Sequence, residues 1–250
     1  PITPTVSSRP GTTESKAMAA KRQFLGVTGT GTGVGKTVLS ALLVRRCVRL
    51  GRAVRAFKPL CSGGRGDALA LEAALGVSQA LDTINPWHFD APLSPSLAAR
   101  LERRKVTLGP VVDHLRRHSV AGDLTLIEGA GGLLSPLTAD GDNRDLIVRL
   151  GALPLIVASN RLGVIHDVRA VLGNLPSRLR DRAPVVLMAP AEADDSTAYN
   201  ARSLGEFLEP DRIVELPRVS EAVQAGVAQP SPSLTRSLDR ILDLVGPMPS

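Results

Sequence analysis

Short apolar runs alternate with amphipathic stretches along most of this chain. Phe24 to Val27 is an apolar run, and Val38 to Leu50 places its apolar residues at helical spacing before Gly51 closes the pattern. Ala53 to Phe57, Asp123 to Ile127, Leu153 to Ser159 and Pro184 to Met188 read as buried strands, with Ile213 to Leu216 as a shorter one. Helices are expected over Ala68 to Leu75, from Ser94-Pro95-Ser96 to Arg104, around His114 and His118, from about Val164, and from about Ser231 to Val245. Thr83 to Phe89, which holds the only Trp, reads as a packed loop. Strand and helix in alternation predict an α/β fold: one parallel sheet flanked by crossover helices, with no internal repeat.

The 250 residues suffice for one such domain, expected over 23–250. Residues 1–22, rich in Pro, Ser and Thr, are expected to form a disordered leader. The formal charge is +6, but the basic residues are spread along the chain and aromatics make up only 2%, which argues against a nucleic-acid partner. No apolar run reaches membrane-spanning length, so no membrane association is expected. Cys47 and Cys61 are too few for a disulfide scaffold or a zinc site, which favours a reducing, cytoplasmic setting, with Cys47 in the core. His114 and His118 lie four apart, but Arg116 and Arg117 between them point to a solvated face rather than a metal pair.

Chemistry concentrates in Gly29-Thr30-Gly31-Thr32-Gly33-Val34-Gly35-Lys36-Thr37, between the first strand and the first helix. Glycines let backbone amides close around an anion, and the helix that follows opens with unpaired N–H groups and a positive dipole end. Lys36 would reach the terminal phosphates of a nucleotide, and the Thr37 hydroxyl would ligate Mg2+. The usual phosphate loop places four residues between its first glycine and Gly-Lys-Thr. Counted from Gly29 there are five, so the loop is a variant. Lysine occurs at only five positions, which makes Lys36 and Lys58 conspicuous among 30 basic residues. Lys58 ends the second strand and opens a loop, Lys58-Pro59-Leu60-Cys61-Ser62-Gly63-Gly64-Arg65-Gly66-Asp67, of the kind that holds ligands in open parallel sheets. Asp67 is either the cap of the next helix or a metal ligand. Glu128 ends a strand before Gly129-Ala130-Gly131-Gly132, a placement suited to a second Mg2+ ligand. The helix start after Asn160-Arg161-Leu162-Gly163 could hold a further anion such as a substrate carboxylate.

Taken together these stretches resemble the dethiobiotin synthetase family, a variant branch of the P-loop NTPases. The likeness spans most of the chain and rests on the 29–37 loop, Lys-Pro-x-x-Ser-Gly (58–63), Asp-Ala-Leu-Ala-Leu (67–71), Asn-Pro-x-x-Phe (85–89), Ser94-Pro95 and Glu-Gly-Ala-Gly-Gly (128–132). The resemblance implies an ATP-dependent cyclo-ligase of biotin biosynthesis. It would close 7,8-diaminononanoate and CO2 into a cyclic urea through a carbamate and its phosphoric anhydride. It also implies roles: Lys58, Lys36 and Thr32 in catalysis; Thr37, Asp67 and Glu128 on Mg2+; Ser62, Gly131, Leu162, Gly163 and His166 on the substrate. The nucleotide would be held by Gly33, Val34, Gly35, Lys36, Thr37 and Val38, by Asp67, by Glu128, Gly129, Ala130 and Gly131, and by Ala189, Pro217, Arg218 and Val219. A homodimer is implied, with the helix start at Arg161 to His166 serving the partner's substrate. Three positions depart from the family pattern: His166 stands where Asn is frequent, Gly31 where many relatives are acidic, and Ala189-Pro190 where an adenine-reading Asn-Asp is usual. The last departure leaves other nucleoside triphosphates open as substrates. Two rivals share the loop. A cobyrinate-type amidating synthetase would need a glutaminase domain that this length does not hold, and a partitioning ATPase would need a membrane-seeking tail or a DNA-binding face.

Overall fold

The computed structural model of the chain describes residues 23–76, 79–120 and 124–246. The expected leader over 1–22 lies outside the described residues, as does Asp123. The chain opens with β1 (Gln23–Gly29), α1 (Lys36–Arg49), β2 (Val54–Phe57), β3 (Leu60–Ser62), α2 (Gly66–Leu75), α3 (Leu81–Ile84), β4 (Trp87–Phe89), α4 (Pro95–Leu101) and α5 (Leu108–His118). It continues through β5 (Leu124–Glu128), β6 (Pro136–Thr138), β7 (Gly141–Asp142), α6 (Asn143–Leu150), β8 (Leu153–Ser159), α7 (Val164–Gly173), α8 (Ser177–Arg180) and β9 (Val185–Met188). It ends with α9 (Asn200–Leu204), β10 (Ile213–Leu216), α10 (Glu221–Gln224) and α11 (Pro232–Val245).

Six strands form the central sheet in the order β10-β9-β8-β1-β5-β2, and every neighbouring pair is parallel. The inner strands are buried on both faces, so they read as continuous apolar runs, and the period of two decides which layer each side chain joins. Leu25, Val27, Leu126, Leu155 and Val157 pack with α1, α2 and α11. Phe57, Ile127, Ile156 and Ala158 point the other way and pack with α5, α6 and α7. The closing helix α11 sets Leu238, Ile241, Leu242 and Val245 into the first layer, and Arg46 of α1 grips Asp239 through two hydrogen bonds of 2.7 and 2.9 Å.

Several local expectations need correction. The stretches around Leu60 and Trp87 are not plain loops: β3 and β4 pair in parallel, Leu60 with Trp87 and Ser62 with Phe89. The helix expected to reach Arg104 stops at Leu101, because Arg103 takes a left-handed conformation (φ 55°). Arg104 then turns back, donates to the His88 carbonyl at 2.8 Å and lays its guanidinium over Phe89. His114 is not on a solvated face either. Its ring meets Trp87 and Phe57 edge-on and its Nε2 lies 2.8 Å from the Thr83 carbonyl, while Arg116 and Arg117 take the outer positions. The hairpin β6–β7 and helix α6 are additions. The latter begins in a capping box, in which the Asp142 carboxylate accepts from the Asp145 amide and Asp145 accepts from the Asp142 amide.

Ile241 is fully buried in the α11 seam. Ile241→Ala is expected to cost about 2–5 kcal/mol, read as a lower urea midpoint with an unchanged slope.

Candidate active site

In an open parallel sheet, ligands gather at the carboxyl ends of the strands, where connections to either side part company. Here β1 sits between β5 and β8, and the 29–37 loop leaves from its end. Lys58 follows β2 directly, Glu128 ends β5, Leu162 and Gly163 follow β8, Ala189 follows β9, and Pro217, Arg218 and Val219 follow β10. All of these residues therefore stand along one edge.

Register and pleat bring the central group together. Phe57 pairs with Ile127, so the next residues along, Lys58 and Glu128, are neighbours. Alternation sends both side chains to the layer that contains α1 and α2, where Thr37 and Asp67 wait. The Lys58 ammonium donates to Glu128 Oε1 at 2.9 Å and to the Gly129 carbonyl at 3.0 Å, and it pairs with Asp67 Oδ2 at 2.8 Å. The Thr37 hydroxyl donates to the same Glu128 Oε1 at 2.7 Å. Asp67 belongs to the first turn of α2, two residues after Arg65 at the N-cap position.

Lys58 is 3% exposed and Glu128 is 1% exposed, a depth at which a lone charge would be very costly. Burial works against the Lys58 charge, but Glu128 and Asp67 more than offset it and hold the ammonium above the usual lysine range. Burial likewise works against the Asp67 carboxylate, and Lys58, with help from Thr37 and Lys36, pulls its pKa below normal. Lys36 shows the opposite balance: burial first, then repulsion from Lys58, lowers its pKa to about 8. The two lysines thus repel each other beside the loop, a repulsion that a polyphosphate would relieve.

The loop itself is shaped for close approach. Lys36 donates to the Gly31 carbonyl at 2.7 Å. Gly35 has φ +97°, and a Cβ there would lie 2.9 Å from Met188 Cε, so this turn needs glycine and the end of β9 lies against it. Thr32 and Gly33 are exposed, while Val34 and Val38 lean on the core. Beside β9, the Ala189 amide donates to the Leu216 carbonyl at 3.0 Å, and Arg218 donates to the Ala191 carbonyl at 2.8 Å.

The donors suit magnesium. Thr37, Asp67 and Glu128 offer only hard oxygens, and Glu128 Oε2 is buried with no hydrogen-bond partner among the described residues. Next to them is a cavity of about 490 Å3 lined by Thr32, Lys58, Ser62, Asp67, Ala130 and Gly131, among others. A second cleft of about 480 Å3 shares Thr32 and Ser135 with it and runs toward Asp167 and Ala170 of α7. Ser62 donates to the Leu93 carbonyl at 2.5 Å at the cavity wall. Leu162, Gly163 and His166 are not brought to either lining. They stand exposed at the start of α7, and Asp194 accepts from the Leu162 amide at 2.8 Å.

Asn143 has a part that the residue patterns did not single out. Its buried carboxamide donates to the Ala130 and Gly132 carbonyls, both at 2.8 Å, and accepts from the Ala130 amide at 3.2 Å. It clamps the loop after Glu128 and leaves no room for a Cβ on Gly129, which would fall 2.5 Å from Asn143 Oδ1. The Asp142-x-x-Asp145 spacing at the head of α6 is the local sign that a helix start lies here.

The family model described as an AAA domain (AAA_26) matches residues 23–225. The ATP-dependent dethiobiotin synthetase BioD of Caulobacter sp. (strain K31) is 40% identical over 208 residues, covering 80% of this chain and 90% of that protein. The protein of the same name from Anaeromyxobacter sp. (strain Fw109-5) is 36% identical over 203 residues, 79% of this chain and 91% of that one. Among solved structures, the MinD cell division protein of Aquifex aeolicus superposes with a TM-score of 0.52 at 16% identity, covering 90% of this chain and 97% of that one, a likeness of fold. With its phosphate loop, its strand-end lysine and its two carboxylates in one crevice, the chain belongs to the ATP-dependent dethiobiotin synthetase family.

Proposed function

We propose that this protein is an ATP-dependent cyclo-ligase that closes 7,8-diaminononanoate and CO2 into dethiobiotin. The observation that carries the reading is the shared contact of Lys58 with Glu128 and Asp67 beside the 29–37 loop. In the reaction, one amine adds to CO2 and loses a proton to give a carbamate. A carbamate oxygen then attacks the γ-phosphorus of ATP and ADP leaves. The second amine attacks the resulting anhydride at carbon and loses a proton, and phosphate departs with the bridging oxygen. No covalent enzyme intermediate is needed, so the protein's task is placement and charge stabilisation.

Lys36, with the amides of Gly33, Val34, Gly35 and Thr37, would hold the β and γ phosphates, and Val38 would complete the helix start beneath them. Lys58 would steady the carbamate and the phosphoryl group in flight. Thr37, Asp67 and Glu128 would hold Mg2+, which supplies neutralising charge between the phosphates. Thr32, Ser62 and Gly131 would orient the diamine in the cavity beside Lys58, with Gly129 and Ala130 exposing backbone to the nucleotide. The base would lie along Ala189, Pro217, Arg218 and Val219. With Ala189-Pro190 there, no side-chain amide reads it, so other nucleoside triphosphates are expected to serve. Leu162, Gly163 and His166 would reach the substrate tail of a second copy, which makes the working form a homodimer. The two buried, free cysteines suit a reducing, cytoplasmic setting.

Incubation with ATP, Mg2+, bicarbonate and the diamine should release phosphate and form the cyclic urea in equal amounts. Phosphate release that ignores the diamine and responds to lipid or DNA would instead favour a nucleotide-switched partitioning ATPase. Lys58→Gln is expected to leave ATP affinity within about threefold while kcat falls about 100-fold, because the lost donor acts on developing charge. Equal losses in both would remove Lys58 from the transfer step. Sedimentation at working concentration should give twice the monomer mass, and a monomer with full activity would exclude the shared site.

A further inference from the structure

Asn85 opens the Asn-Pro pair that helped to define the resemblance, yet the chemistry above gives it no role. It is completely buried. Its carboxamide nitrogen donates to the carbonyls of Lys58 at 2.8 Å, Trp87 at 3.1 Å and Pro59 at 3.4 Å. Its neighbours complete the clasp: the Lys58 amide donates to the Ile84 carbonyl at 3.0 Å, and the Trp87 amide to the Pro59 carbonyl at 3.2 Å. The turn on which Lys58 sits is therefore held from residues 84–87 on both its N–H and its C=O sides.

The oxygen of the same carboxamide accepts from Arg65 Nε at 3.0 Å. Arg65 stands at the N-cap position of α2, two residues before Asp67, and its guanidinium also donates to the Asn85 carbonyl at 3.0 Å and to Asp82 at 2.8 Å. The carboxamide orientation is thereby fixed, since three carbonyls face its nitrogen and a guanidinium faces its oxygen. One buried side chain links the backbone that carries Lys58 to the helix start that carries Asp67.

We propose that Asn85 is a positioning residue for the transfer step: with Arg65 it sets where the Lys58 ammonium stands between Asp67 and Glu128. Asn85 does not touch the reacting atoms; it acts through Lys58. The reason is mechanical. Lys58 reaches the site from a strand end, followed at once by Pro59, whose carbonyl serves the β3–β4 pairing. Without a clasp, a small shift of that turn would move the ammonium off the transferring group, and displacements of about 1 Å can cost about 100-fold in rate. The Asn85 carboxamide bonds to Lys58, Pro59, Trp87 and Arg65 and, among the described residues, to nothing in the 29–37 loop, so nucleotide binding should be left alone.

The inference rests on the synthetase reading, and a double-mutant cycle separates the two. Wild type, Asn85→Ala, Lys58→Gln and the double variant are assayed for urea formation, together with ATP affinity and thermal midpoint. Asn85→Ala should lower kcat about 10- to 100-fold with the ATP KM within about twofold. The same change in the Lys58→Gln background should cost no more than about twofold, because the group being positioned is already gone. An equal loss in both backgrounds, or a parallel loss of ATP affinity, makes Asn85 structural only and overturns the proposal. If Asn85→Ala does not fold, Arg65→Lys carries the same cycle: a loss confined to the Lys58 background supports the proposal, and an equal or absent loss overturns it. If wild type itself forms no urea, it is the synthetase reading that fails.

Discussion

Everything at the strand ends depends on one ammonium shared by two carboxylates. Lys58 and Glu128 are both buried, so each of those two charges is tolerable only while the other stays in place, and Asp67 adds its carboxylate from the half-exposed side. Removing Lys58 or Glu128 would strand the other in a low-dielectric setting, and the ion pair from Lys58 to Asp67 ties a third stretch of chain to the same place. The arrangement is electrostatically poised as well as stable. The Glu128 oxygen that Lys58 and Thr37 do not use is buried and, among the described residues, without a hydrogen-bond partner, which is the position the proposed Mg2+ would satisfy.

The fold serves this cluster by register. A parallel pairing that sets Phe57 against Ile127 makes Lys58 and Glu128 neighbours, and a slip of one residue would send one of them into the opposite layer with Phe57 and Ile127. Helices α1 and α2 cover the layer that both side chains enter, which places Thr37 and Asp67 opposite them. Buried carboxamides do the remaining work: Asn143 holds the loop after Glu128, and Asn85 holds the turn at Lys58. Amide side chains suit such posts because they satisfy donors and acceptors without adding charge to a crowded site.

What could be read from residues alone follows from how local the signal is. Lys36 and Thr37 were legible because glycine-rich turn, strand and helix are consecutive, and the buried strands because their apolar runs are uninterrupted. Lys58 and Glu128 were legible as strand-end residues, although nothing local says that they touch. Asp67 was ambiguous in the local pattern, because a carboxylate at a helix start reads equally as cap or ligand, and only the family resemblance assigned it to Mg2+. The β3–β4 and β6–β7 pairs were missed since runs of two or three residues carry no period. Asn143 was missed since its partners come from a separate loop. His114 was misjudged because the charges at Arg116 and Arg117 describe the outer face of α5, while the inward one rests on Trp87 and Phe57.

The central claim is that the cluster directs phosphoryl transfer onto a carbamate rather than onto water. Oxygen-18 tracing tests it most directly. With oxygen-18-labelled CO2 supplied in unlabelled water and the reaction quenched before hydration exchanges the label, the released phosphate should carry one labelled oxygen for each urea ring closed. Phosphate whose new oxygen comes from the solvent would contradict the account, because it would mean that the crevice hydrolyses ATP and that the two lysines position a water.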